Sequence, residues 1–227
     1  MRLTFTRWLQ FHRLLGLGLF IAFLTACAST PQTSDTVAPE RHADHQAWLS
    51  QIVFWNIQGN IAFFNDADGE RDAARYTWRQ QHTPETTSFR LYHPLRGTLA
   101  RLEQNESGGV FTNLQGETFN AEHIDELLYT HTGMPIPFHL MSEAIIGLEP
   151  QVSIANRRWF ESGALASYTA DISQSPWNQQ VWQVELSDYR VVVHNGRSFT
   201  MPHMIEASQY PLRIRFQVSQ WREVLVE

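Results

Sequence analysis

From about Trp48 onward, small or apolar residues fall on every second position, and that spacing leaves few folds open to the chain. Ile57, Gly59, Ile61 and Phe63 alternate with Gln58, Asn60 and Ala62; Tyr76 and Trp78 alternate with Thr77 and Arg79; Phe89 and Leu91 alternate with Arg90 and Tyr92. Successive side chains of a strand point to opposite faces, so each run builds one apolar and one polar face. Turn residues separate the runs at Asp68-Gly69, Ser107-Gly108-Gly109, Gln115-Gly116 and Asn195-Gly196. The last, set between two β-rich triplets, is the clearest hairpin signal. Strands are expected at 54–65, 71–82, 86–93, 97–105, 109–114, 157–161, 166–173, 180–186, 189–194, 198–206 and 211–219. Antiparallel strands in such a meander make a large curved sheet or an open barrel.

Two helical stretches interrupt the alternation. Asn120 is placed to cap the first, with Ile124, Leu127, Leu128 and His131 at helical spacing until Gly133. Pro135 and Pro137 then force an extended link. Residues 138–147 form the second, whose apolar face is Leu140, Met141, Ala144, Ile145 and Leu148. Helices inserted midway through a curved sheet are expected on its concave side. Eight Trp and 14 Phe favour an apolar cavity with a helical lid over a plain packed core.

The N-terminus carries an address. Arg2, Arg7 and Arg13 precede the apolar run of residues 14–23, which is too short to span a bilayer and reads as the core of a signal peptide. Leu24-Thr25-Ala26-Cys27 resembles the bacterial lipobox, in which the Cys thiol takes a diacylglycerol, cleavage falls before it, and the new amine is acylated. By that resemblance Cys27 is the lipid attachment site, and Ala28 after it implies release to the outer membrane. Residues 1–26 are the signal peptide, 27–43 a lipidated tether without apolar periodicity, and 44–227 a single β domain. A flexible tether of this length reaches roughly 20–25 Å. His42, Asp44 and His45 read as a solvated helix start rather than a metal cluster.

Composition narrows the function. The chain has 17 basic and 23 acidic residues; the signal segment holds three Arg and no acid, leaving 14 against 23. An acidic body is a poor ligand for phosphate backbones, so nucleic acid is not an expected partner. Every basic residue is Arg, which excludes a P-loop lysine, a Schiff-base lysine and a Ser-Lys dyad. Cys27 is the single cysteine, so a lipidated chain has no free thiol nucleophile. No G-x-S-x-G elbow is present, and Glu122, Asp125 and Glu126 fall on the helix side expected to face solvent. Neither an enzyme nor a cofactor is expected.

Thr132-Gly133-Met134-Pro135-Ile136-Pro137 followed by Ile145-Ile146-Gly147-Leu148 resembles the corresponding segment of the LolB family, outer-membrane receptors that accept lipoproteins from the periplasmic carrier LolA. Gly59-Asn60-Ile61-Ala62-Phe63, Tyr76-Thr77-Trp78-Arg79-Gln80-Gln81, Pro94-Leu95, a strand start at Met201-Pro202 and the closing Gln220-Trp221 are similar too, and in the same order. The resemblance implies a mainly β (α+β) fold, an incomplete antiparallel barrel of about eleven strands with a helical lid over an apolar cavity. It implies a monomer facing the periplasm that takes acylated lipoproteins from LolA and places them in outer-membrane phospholipid without nucleotide. Trp78, Phe89, Leu91, Ile145, Leu148 and Trp182 are the expected cavity lining. Leu95, in the turn His93-Pro94-Leu95-Arg96-Gly97, resembles the apolar tip of a protruding loop needed for membrane insertion; Arg96 departs from the small residue expected beside it. The alternatives are a membrane-anchored lipid- or glycolipid-binding lipoprotein with no carrier partner, a structural lipoprotein with a dry core, and a hydrolase.

Overall fold

The computed structural model describes residues 33–34, 39–82, 84–132, 136–172 and 180–227. The signal segment, Cys27 and most of the tether lie outside the described residues, as do residues 133–135 of the proline link.

The period-two runs become long strands that pair with their sequence neighbours. β1 (Thr33–Ser34) and helix α1 (Pro39–Leu49) lead into β2 (Ile52–Asn65), β3 (Glu70–His82), β4 (Glu85–His93), β5 (Gly97–Asn105), β6 (Gly108–Thr112) and β7 (Thr118–Ala121). Helices α2 (Ile124–Thr132) and α3 (Phe138–Ile146) follow. The chain returns through β8 (Ser153–Phe160), β9 (Leu165–Asp171), β10 (Val181–Ser187), β11 (Arg190–His194), β12 (Arg197–Met201), β13 (Met204–Gln209) and β14 (Leu212–Val226). Twelve strands form one sheet in the order β1-β8-β9-β10-β13-β14-β2-β3-β4-β5-β6-β7, while β11 and β12 pair as a separate hairpin. β1 and β7 are its two edges and do not pair with each other, so the barrel is incomplete.

Register puts the apolar alternates in rows across the concave face. One row runs Trp221, Ile57, Trp78, Phe89, Leu102, Phe111 and Phe119 through directly opposed positions of β14 and β2 to β7. The next runs Val218, Gly59, Tyr76, Leu91 and Ala100. A one-residue slip would turn every member of a row to solvent, so burial fixes the register. Gly59 sits on an inward position because nothing larger fits: a Cβ there would collide with the Gln217 carbonyl oxygen and lie 2.9 Å from the Tyr76 ring. Gly59→Ala is expected to lower stability by about 2–3 kcal/mol through overpacking against backbone. Urea unfolding reads this directly, and an unmoved midpoint would refute the contact.

Several boundaries differ from the pattern reading, each for a physical reason. Asn120 does not cap a helix: residues 118–121 add β7 to the sheet edge, with Phe119 opposite Phe111, and the free N–H of Ile124 is met by the Gln104 side chain at 3.0 Å. The expected strand 198–206 is two strands, because Pro202 lacks an N–H for the ladder; β12 stays with β11 while β13 joins β10 and β14. Met201-Pro202 is therefore a strand end and break rather than a strand start. α1 begins at Pro39, inside the stretch read as tether, and is fixed to the body. Trp48 stacks on Phe199 and donates its indole N–H to the Ser198 carbonyl, and Gln46 bonds Gly147 and Glu149. His42 is not a solvated helix start. It is half-buried, with one ring nitrogen 3.0 Å from the Gly163 carbonyl and the other 3.0 Å from Glu149.

Candidate functional site

Inward side chains on β2, β4, β5, β6 and β14 make the floor of a cavity of about 80 Å³. Ile61 and Phe63 come from β2, Phe89 and Leu91 from β4, Ala100 and Leu102 from β5, Phe111 from β6 and Phe216 from β14. Leu128 of α2, with Ile136 and Phe138 at the start of α3, closes the top. Every one of these residues is apolar, so the cavity offers van der Waals contact and no hydrogen bond.

α3 is closed by a cap at one end and seated on the floor at the other. Gly147 ends it in the left-handed conformation, φ 83°, with its N–H on Ala144 O and the Leu148 N–H on Glu143 O. Only a residue without a Cβ takes that conformation readily. At the other end the Phe138 ring drops into an aromatic box, 4.3 Å between centroids from Trp78 and 5.2 Å edge-on from Phe89. The helix thereby plugs the cavity with its own first side chain.

A second latch is polar. The Asp125 carboxylate on α2 accepts the Phe138 N–H at 3.2 Å, tying the two helices where α3 begins. Asp125 is thus not a solvated charge; burial pushes its pKa up to about 6, against the hydrogen bond, which lowers it. Because the folded value lies above the unfolded one, near 3.9, the native state holds the proton more tightly. The stabilisation is full below pH 4 and is lost as pH rises through 6, a swing of about 2–3 kcal/mol. Asp125→Asn is expected to stabilise the protein by about that amount at pH 7.5 and to leave it unchanged near pH 4. Parallel stability–pH curves for the two proteins would show that the carboxyl does not titrate in this range.

The six residues expected to line the cavity separate in the structure. Phe89 and Leu91 stand in its wall. Trp78 is fully buried beside the wall in the same row, against Phe89, Phe138, Phe216 and Trp55. Ile145 and Trp182 are fully buried in the core away from this wall, and Leu148 is half-buried against that core. Phe138, Phe63, Phe111 and Phe216 were not singled out by the sequence reading. Phe63, Phe111 and Phe216 carry the same inward parity, Phe138 is a helix residue with no such signal, and what selects all four is the tertiary position of the lid.

Leu95 is at the tip of the β4–β5 turn and is 91% exposed. Its N–H donates to the His93 ring at 3.2 Å, and Gly97 closes the turn at φ 75°, so backbone geometry turns the side chain outward. In an antiparallel meander, alternate turns share one end of the sheet. The turn after β6, carrying exposed Leu114, and the turn before β14, carrying exposed Tyr210, lie on the same end as Leu95. Among the described residues, no helix is long and apolar enough to cross a membrane.

A model of the family described as "Outer membrane lipoprotein LolB" matches residues 54–221, nearly the whole sheet and both lid helices. The chain is 24% identical over 201 residues to the outer-membrane lipoprotein LolB of Vibrio cholerae, covering 88% of this chain and 91% of that protein. It is 27% identical over 202 residues to that of Serratia proteamaculans, covering 87% and 90%. With the protein of Yersinia enterocolitica it shares 26% over 223 residues, covering 95% and 97%. An incomplete β-barrel lidded by two helices, matched by that family model over residues 54–221, belongs to the LolB family of outer-membrane lipoproteins.

Proposed function

We propose that this chain is the acceptor of the outer membrane's lipoprotein-sorting pathway, taking acylated lipoproteins from a LolA-type carrier into its apolar cavity and releasing them into the membrane phospholipid without nucleotide. The observation that carries this reading is the cavity: a wall composed only of apolar side chains, roofed by two helices whose first contact is the Phe138 plug. Residues 1–26 are a signal peptide, the chain left after cleavage is anchored by lipid on Cys27, and the tether ends where α1 begins at Pro39, so the body that follows works as a monomer at the periplasmic face.

Energetics favour a cavity-to-cavity route. Each buried methylene gains about 0.8 kcal/mol, so three long acyl chains represent tens of kcal/mol that exposure to water would forfeit. Transfer therefore proceeds with the chains covered throughout, and a better fit in the acceptor supplies direction. The closed cavity of about 80 Å³ is smaller than the roughly 150 Å³ that holds one benzene ring. Withdrawal of α3 is accordingly part of binding. As Phe138 leaves, the floor opens toward the Ile145, Leu148 and Trp182 side of the core, where the chains extend. Leu95 then meets the bilayer, with Leu114 and Tyr210 on the same end of the sheet. The acidic balance of the mature chain favours a docking partner with a basic mouth, through long-range steering.

The test loads a LolA-type carrier with a labelled lipoprotein, adds this protein, and follows the label with no nucleotide present. Movement of the label onto this chain supports the receptor. A label that stays on the carrier while the protein still binds free lipid makes it a lipid- or glycolipid-binding lipoprotein instead.

A further inference from the structure

The wall of the cavity is apolar, but the β3 side chains that flank it on the same face of the sheet are not wholly so. The Tyr76 hydroxyl and the Trp78 indole N–H are both buried, and neither has a hydrogen-bond partner. Tyr76 lies with its ring 5.9 Å from Phe89 and 5.4 Å edge-on from Phe216, two members of the wall. Trp78 touches those same two rings and the Phe138 plug. Each ring thus packs directly against rings of the cavity wall. Both project from β3 to the concave face, two residues apart, or about 7 Å along the strand.

A buried donor left unpaired destabilises a fold, and of the several such atoms among the described residues these two belong to rings packed against the rings of the cavity wall. Phenylalanine at position 76 would fill the same space without that penalty. The ring is accommodated instead, by the glycine opposite it on β2. Burial pushes the Tyr76 phenol far above its usual pKa, so it stays protonated and remains a donor. A ligand that satisfies these donors carries a neutral acceptor inside an otherwise apolar body. A carboxylate would bring a charge into a wall that supplies no cation. An alkyl or ether chain would leave the donors without a strong carbonyl acceptor.

We propose that the Trp78 indole N–H, uncovered when Phe138 withdraws, and the Tyr76 hydroxyl two residues along the same face hydrogen-bond the carbonyl oxygens of the cargo's ester or amide linkages, so that the site reads the acyl linkage as well as the hydrocarbon. The inference rests on the acyl-binding reading of the cavity. It makes Tyr76 and Trp78 specificity-determining residues.

The test titrates the mature protein with two fluorescent lipids of equal chain length, a diacylglycerol and its dialkyl ether analogue. The diacyl lipid is expected to bind about tenfold tighter. Tyr76→Phe is expected to cut that ratio several-fold while melting at no lower temperature than the unaltered protein, and Trp78→Phe to cut it independently. Equal affinity of the unaltered protein for the two lipids overturns the proposal, as does a ratio that neither substitution moves. If the unaltered protein binds neither lipid, it is the acyl-cavity reading that fails, and the carbonyl proposal fails with it.

Discussion

Leu95→Asp is expected to leave folding and cargo uptake intact while slowing release into the bilayer on the order of 1,000-fold or more. At 91% exposure the side chain contributes nothing to the core, and surface changes of this kind stay within about 0.5 kcal/mol, or 1–2 °C in melting temperature. The membrane step is another matter. Burying a leucine gains about 1.5–3 kcal/mol, and placing an aspartate among acyl chains costs about 2.5–3.5 kcal/mol at full depth. A single substitution thus moves the tip from favouring the hydrocarbon to avoiding it. Release from a loaded protein into liposomes, compared with loading itself, separates the two steps. Normal release by the Asp variant would remove Leu95 from the mechanism, and a parallel loss of loading would assign it to the cavity instead.

Trp78→Ala acts from the opposite direction, on the floor. The ring is fully buried and touches Trp55, Phe89, Phe138 and Phe216, so its loss leaves a cavity beneath both the plug and the wall. Truncating a buried tryptophan costs about 3–5 kcal/mol, a large share of the 5–15 kcal/mol that holds a typical domain together. Because half of the aromatic box around Phe138 disappears, α3 is expected to lose protection from hydrogen exchange by more than the sheet does. If exchange rises uniformly, Trp78 supports the barrel alone and does not seat the lid.

The parts of this architecture that were legible in the sequence are those written in local chemistry. Asn195-Gly196 marked a two-residue hairpin, and both residues take positive φ there, 50° and 77°. The inward alternates of β2 and β4 identified residues that stand in the cavity floor, because parity alone decides which face a strand residue occupies. What escaped was set by tertiary geometry. β7 is four residues long with one large apolar side chain, so Asn120 looked like a helix cap, and only the edge of β6 makes it a strand. Asp125 read as solvated on helical spacing, since nothing local announces that the Phe138 N–H will be brought to it. Ile145 and Trp182 had the right burial, but the closed cavity occupies only the part of the concave face under Phe138, and sequence spacing does not say where along a curved sheet a lid comes to rest.

The most direct test of the central claim places a photoreactive group near the end of an acyl chain on a lipoprotein, delivers that cargo from the carrier, and maps the adducts on this protein by mass spectrometry. Adducts are expected on Phe89, Leu91 and Phe138, beneath a lid that has opened and closed again over the chain. Adducts confined to the outer face of the sheet, with the cargo transferred nonetheless, would contradict that claim.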